Sequence, residues 1–172
     1  GSRGEGIATE YEAYKGNLEP GNYVVEARVS EARIEQPVVI EPGKVTEQHF
    51  VLNAGTLKIS PKATAGSEPD AGAAVHFIYP GGDWVTYGPT TVVVPAGEQT
   101  VKVNLGEAEV SETFALKAGE VIEKDIVAGV GVVKVNAFYA PGMKVEADGI
   151  AVNIFEAKKD INGKRKDVAY TF

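Results

Sequence analysis

The residues that could do chemistry are few and poorly spaced for it. The chain of 172 residues has two histidines, His49 and His76. Neither stands in an HExxH or HxH spacing, which would bring two imidazoles to one metal or set an imidazole beside a carboxylate base. Both read as surface or strand-edge residues. Ser30, Ser60, Ser67 and Ser111 fall in strand or turn patterns, and no GxSxG elbow presents any of them to a base. The absence of cysteine excludes thiolate metal sites, disulfides and a cysteine nucleophile together. The expectation is a protein with no catalytic residue, no metal and no cofactor, and not an enzyme.

Two further clusters require a choice. Asp160-Ile161-Asn162-Gly163-Lys164-Arg165-Lys166-Asp167 has the opening of a calcium loop but lacks the third acid and the terminal glutamate, and it carries three cations. Asn-Gly between two strand patterns is a hairpin signal, so this stretch reads as a turn. Trp84, Tyr79 and Tyr87, with Phe77 nearby, would form a platform for a carbohydrate or peptide if their rings shared one solvent face. Strand alternation instead sends some of these rings inward, and the core is the expected place of Trp84.

The elements that position these residues follow from composition and pattern. Hydrophobic residues make up 44% of the chain and charged residues 24%, which is ordinary globular usage and sets disorder aside. A net charge of -7 lacks the basic stripe that a phosphate backbone requires, so no nucleic-acid partner is expected. No apolar run approaches the roughly 20 residues that span a bilayer, and no membrane insertion by this chain is expected. Gly1-Ser2 reads as a cloning scar, and the single methionine is the internal Met143. The chain is expected to be an excised fragment, with any signal peptide or anchor of its parent elsewhere.

Sliding the sequence against itself reveals its organisation. Residues 18–58 align without a gap on residues 94–134, an offset of 76, with ten identities over 41 positions. Among these are Gly21/Gly97, Val25/Val101, Gly43/Gly119, Gly55/Gly131 and Lys58/Lys134, and apolar positions match apolar ones, as in Ile34/Val110 and Ile40/Leu116. The match runs into a third copy, pairing Ala74-Val75-His76-Phe77 with Ala151-Val152-Asn153-Ile154 and Trp84-Val85-Thr86-Tyr87 with Asp167-Val168-Ala169-Tyr170. The expected domains are the C-terminal part of a first repeat at 1–54, a complete repeat at 55–130, and the N-terminal part of a third at 131–172.

Within the complete copy, short β-rich runs alternate with glycine and proline. The predicted strands are Thr56–Ser60, Ala73–Tyr79, Trp84–Gly88, Thr91–Val94, Glu98–Leu105, Glu109–Leu116 and Val121–Ala128. In Gln99-Thr100-Val101-Lys102-Val103-Asn104-Leu105 the apolar residues fall on one face, the mark of a half-buried antiparallel strand. Seven strands in about 76 residues predict an all-β fold of tandem seven-stranded antiparallel sandwiches.

Leu18-Glu19-Pro20-Gly21-Asn22-Tyr23-Val24-Val25-Glu26, a second Pro-Gly turn, and His49-Phe50-Val51-Leu52-Asn53 together resemble the transthyretin-like sandwiches grouped as carboxypeptidase-regulatory-like and Cna-B-type domains. The resemblance implies tandem modules of large bacterial surface or periplasmic proteins, some with a von Willebrand A domain, and hence an extracytoplasmic location. Some Cna-B-type domains join a lysine to an asparagine beside a buried acid. Glu26 and Asn53 match two of these positions in the first copy, but the complete copy has Lys58 with Lys102 and Gly129 at the other two, so no cross-link is expected there.

The expected function is a non-catalytic structural spacer or protein-interaction module that contacts neighbouring repeats. The alternative is a carbohydrate- or peptide-binding module using aromatics or a sheet edge. The two partial copies carry complementary strands, so a strand-exchanged homo-oligomer is a further expected partner arrangement.

Overall fold

Alternation along the chain decides what each strand buries. The computed structural model describes residues 14–144 and 146–171, and every named element in it is a strand. The chain divides into two compact units, the first ending at Leu52 and the second running from Asn53.

In the first unit β1 (Gly21–Val29) and β2 (Ala32–Ile40) form an antiparallel hairpin. Tyr23 and Ala27 on β1 are half-buried, as are Ile34 and Ile40 on β2, where Ala32 and Val38 are fully buried. The intervening residues, Asn22, Glu26 and Arg28 among them, are exposed. Residues 45–51 form no strand but lie beside β2, where the Thr46 hydroxyl donates to the Val39 carbonyl at 3.3 Å and the Gln48 amide donates to Gln36.

The second unit holds a two-sheet sandwich. One sheet has the order β5-β4-β7-β8, with β4 (Ala74–Tyr79), β5 (Gly82–Tyr87), β7 (Gly97–Leu105) and β8 (Ala108–Leu116), all antiparallel. The other has the order β6-β3-β9, with β3 (Ala54–Lys62) antiparallel to β6 (Thr90–Pro95) and parallel to β9 (Val121–Val127). All seven predicted strands of the complete copy are present, each with a slightly different end or ends. The core lies between the sheets. Leu57, Ile59, Val92, Val94 and Ile126 from the three-stranded sheet meet Val75, Phe77, Val101, Val103 and Leu116 from the four-stranded one, each at most 2% exposed. Burial of this kind contributes roughly 1.5–3 kcal/mol for each large side chain.

The largest departure from the predicted strand ends is in β3, which runs past Pro61. A proline in a central strand should forfeit a ladder bond. Here β6 pairs with β3 only as far as Ile59, so no ladder bond from the proline nitrogen is lost, while the ring itself is buried. Its carbonyl accepts from the Asp70 amide at 2.8 Å and ties down the 66–72 loop.

The last strands, β10 (Val152–Lys159) and β11 (Arg165–Thr171), pair with each other and with no other strand among the described residues. The turn between them is held by the Asp160 carboxylate, which accepts from the amides of Asn162 at 2.9 Å and Lys164 at 2.8 Å. Ile154 stands opposite Ala169, and Asp167 stands opposite Phe155. In β4–β5 it is Trp84 that stands opposite Phe77, the residue aligned with Ile154. By pairing, Ala169 rather than Asp167 takes the place opposite Ile154 that Trp84 takes opposite Phe77, and the β10–β11 ladder is irregular between Ile154 and Phe155. A shift of two keeps each residue on the same face, which is why alternation alone did not expose it.

The β1–β2 and β7–β8 hairpins share a register. Gly21 opposite Ile40 and Val29 opposite Ala32 correspond, displaced by 76, to Gly97 opposite Leu116 and Leu105 opposite Ala108. Left-handed backbone recurs at the same displacement, at Ser30 (φ 51°) and Gly106 (φ 59°), at Gly43 (φ 69°) and Gly119 (φ 76°), and at Asn53 (φ 46°) and Gly129 (φ 68°).

Candidate functional site

The aromatic cluster sits on β4 and β5, and alternation divides it. Phe77 is buried on the inner face of β4, and Trp84 stands opposite it on β5 with the ring centroids 5.7 Å apart at 25°. Offset stacking at that separation adds to area burial. Tyr79, two residues beyond Phe77, also packs against the core, and its hydroxyl donates to the Asp83 carbonyl at 3.4 Å. Tyr87 is an odd number of residues from Trp84 and therefore points to the other face, where it is 68% exposed. Of the three residues expected as a platform, the structure brings Trp84 and Tyr79 to the core face and leaves Tyr87 on the solvent face. Val85 lies beside Tyr87 on that face, and Ile78 stands at the other end of the same ladder.

The titratable side chains form surface pairs. His76 lies on the outer face of β4, its Nε2 3.1 Å from the Asp83 carboxylate of β5, and His49 is exposed in the unit that precedes it. Among the described residues no group of three His, Cys, Asp or Glu could hold a metal ion. Lys58 projects outward from β3, 3.7 Å from Glu123 opposite it on β9, and four residues further along β3 Lys62 reaches diagonally to Asp125 at 2.6 Å. The first pair is exposed and worth little, and in the second only the Asp125 carboxylate is well exposed.

Two polar arrangements are not surface decoration. Gln99 occupies a core-facing position of β7 and is 1% exposed, and its amide donates to the Pro95 carbonyl at 2.8 Å while its own oxygen has no partner. Displaced by 76, the Tyr23 hydroxyl donates to the Glu19 carbonyl, also at 2.8 Å. In each hairpin a different side chain ties the first strand back to the turn before it. The second arrangement joins the sheets: Lys124 on β9 pairs with Glu112 on β8 and lies over the Phe114 ring, 4.9 Å from its centroid. Its counterpart, displaced by 76, is the Gln48–Gln36 bond. Sequence reasoning missed both. The available signal was a polar residue at an inward position of an alternating strand: Gln99 and Glu112 each fall in phase with the apolar residues around them.

Fold and site together define a class, an all-β protein containing a two-sheet sandwich whose polar contacts brace strands and turns. Compared with known proteins, the chain matches no family model and no curated relative. No helix of the described residues is long and apolar enough to cross a membrane.

Proposed function

We propose that the chain is a run of tandem transthyretin-like β-sandwich repeats serving as a non-catalytic spacer or protein-interaction module of a larger extracytoplasmic bacterial protein. The observation that carries this reading is the shared register of β1–β2 and β7–β8, displaced by 76, with left-handed residues at matching turns. What recurs is framework, while the side chains capable of chemistry change. Tyr23 becomes Gln99, Gln36 becomes Glu112, and His76 has Asn153 in its place. A conserved reaction would need conserved reacting groups; a spacer needs only turns and cores. On this reading residues 1–54, 55–130 and 131–172 are parts of three successive repeats. The location and the bacterial source rest on the family resemblance.

The test is binding. The labelled 172-residue chain, applied to glycan and peptide arrays, is expected to give no saturable signal. Saturable binding abolished by Tyr87→Ala, with the fold retained, would replace the spacer by a ligand-binding module working through the outer face of β5, where Tyr87 and Val85 are exposed.

A further inference from the structure

The flanks of the sandwich carry two unfinished halves of one plan. β7 is paired on both edges, by β8 and β4. Its counterpart β1 is paired by β2 and by no other strand among the described residues, and β10, the counterpart of β4, is paired there only by β11. The counterpart of β9 is 45–51, which lies along β2 without a ladder, and the counterpart of β3 is 130–138, which also forms no strand. Each half lacks what the other contains.

We propose that two copies of this chain complete one another, with β1, β2 and 45–51 of one assembling with 130–138, β10 and β11 of the other into a further sandwich on the plan of residues 54–127. The inference rests on the repeat reading above.

Three observations support a second copy as the occupant. The first is apolar surface at core positions. Val133 and Val135 are 67% and 51% exposed, yet their counterparts Leu57 and Ile59 are buried, and exposed Val25 corresponds to buried Val101. The second is ladder register. Carrying the β4–β7 pairing across sets Val152 opposite Ala27, Ile154 opposite Val25 and Phe155 opposite Val24, so apolar residues meet apolar ones. The third is charge. Carrying the parallel β3–β9 pairing across sets Lys134 opposite Glu47, the same pair as Lys58 opposite Glu123. The counterpart of β6 at the same displacement is 14–19, which forms no strand, so without that segment the rebuilt sandwich keeps one open edge. Reciprocal exchange makes both contacts twice and closes as a dimer.

Gly131 provides the sharpest test. Its counterpart Gly55 is buried, and a Cβ there would meet Leu116 and the Lys117 carbonyl at 2.8 Å, whereas a Cβ on Gly131 meets nothing within 4 Å. In the assembly Gly131 would press on Ile40 and Glu41 of the partner subunit.

Sedimentation equilibrium of the full chain is expected to show a monomer–dimer equilibrium, weakened about ten-fold or more by Gly131→Val. Lys134→Glu should weaken it about three- to ten-fold, and adding Glu47→Lys should restore it. Because the chain has no cysteine, Val24→Cys and Phe155→Cys chains mixed under oxidising conditions should yield the cross-linked heterodimer. A monomer persisting to about 1 mM overturns the proposal, as does a dimer indifferent to Gly131→Val. Hydrogen exchange separates this outcome from failure of the repeat reading. Protection of 54–127 independent of concentration upholds the repeat unit, and protection of β1 and β10 that rises with concentration upholds the association. Protection of β1 and β10 already complete in the dilute monomer would mean closure within one chain and would also overturn it.

Discussion

Lys124 reaches from β9 to the carboxylate of Glu112 on β8, and these two strands belong to different sheets. The pair therefore closes one side of the sandwich, with the lysine ammonium held over Phe114 at the margin of the core. The chain also passes between the sheets on both sides, from β8 to β9 through 117–120 and from β5 to β6 through Gly88 and Pro89. The Gln48–Gln36 bond at the equivalent place in the first unit shows the clasp being made without charge. At both places a polar side chain bridges to the neighbouring strand, β8 in one and β2 in the other, once as an ion pair and once as an amide pair.

Compensation follows from that equivalence. Glu112→Gln alone leaves Lys124 half-buried without its counter-ion and should cost about 1 kcal/mol, as should Lys124→Gln. The double variant recreates the amide pair and should lose less than the sum, by about 0.5–1 kcal/mol. Urea unfolding followed by Trp84 emission measures all three, and additive losses would show that the two residues do not act on one another.

Gln99 makes a pH-dependent prediction. Gln99→Glu removes the donor to Pro95 and, at neutral pH, buries an unpaired carboxylate, which should cost about 3 kcal/mol or more. Burial raises the carboxyl pKa of the folded variant above its unfolded value of about 4.3. The protonated acid is neutral and again has a donor, so the penalty should be smallest below about pH 4 and should grow as pH rises through the unfolded value. Variant and parent are compared by denaturant midpoints from pH 3 to about pH 8, and a penalty that does not change with pH would remove the burial argument.

Trp84 is the only tryptophan, and it stacks on Phe77 in the second unit. Its emission therefore reports the sandwich. Phe77→Ala opens a cavity among Leu57, Val75 and Val101, and should cost about 3–5 kcal/mol and shift the native emission to the red as water reaches the indole. Thermal unfolding and native spectra check this. An unchanged spectrum would place the indole away from the cavity.

Much of the framework was legible because alternation and turn residues act locally. Val101, Val103 and Leu105 share a face for any register, and glycine marks Gly43 and Gly119 as turns whatever surrounds them. Less legible were the features set by tertiary partners. The pairing of Ile154 with Ala169 depends on where the β10–β11 loop closes, and a slip of two preserves every face. The division of the aromatic cluster was legible in principle, since Trp84 and Tyr87 differ by an odd number of positions. The Lys124–Glu112 clasp was not, because it joins strands whose adjacency arises only when the sheets stack.

The hairpin turns give the last prediction. Ser30 and Gly106 occupy the same left-handed position, at φ 51° and 59°, between strands of identical register. An L side chain there is strained by roughly 1–2 kcal/mol, while glycine adopts the conformation freely. Gly106→Ser should therefore destabilise the β7–β8 hairpin by about 1 kcal/mol even though a Cβ at this position meets nothing within 4 Å. Ser30→Gly should relieve strain in the β1–β2 hairpin, offset in part by the added freedom of the unfolded chain. Hydrogen exchange of the amides in each hairpin measures the two effects separately. Protection should fall in β7–β8 for the first variant and rise modestly in β1–β2 for the second. Equal and opposite changes of similar size would mean that backbone strain alone distinguishes the two turns, and a loss in both would mean that the Ser30 side chain supports its turn in a way that glycine cannot.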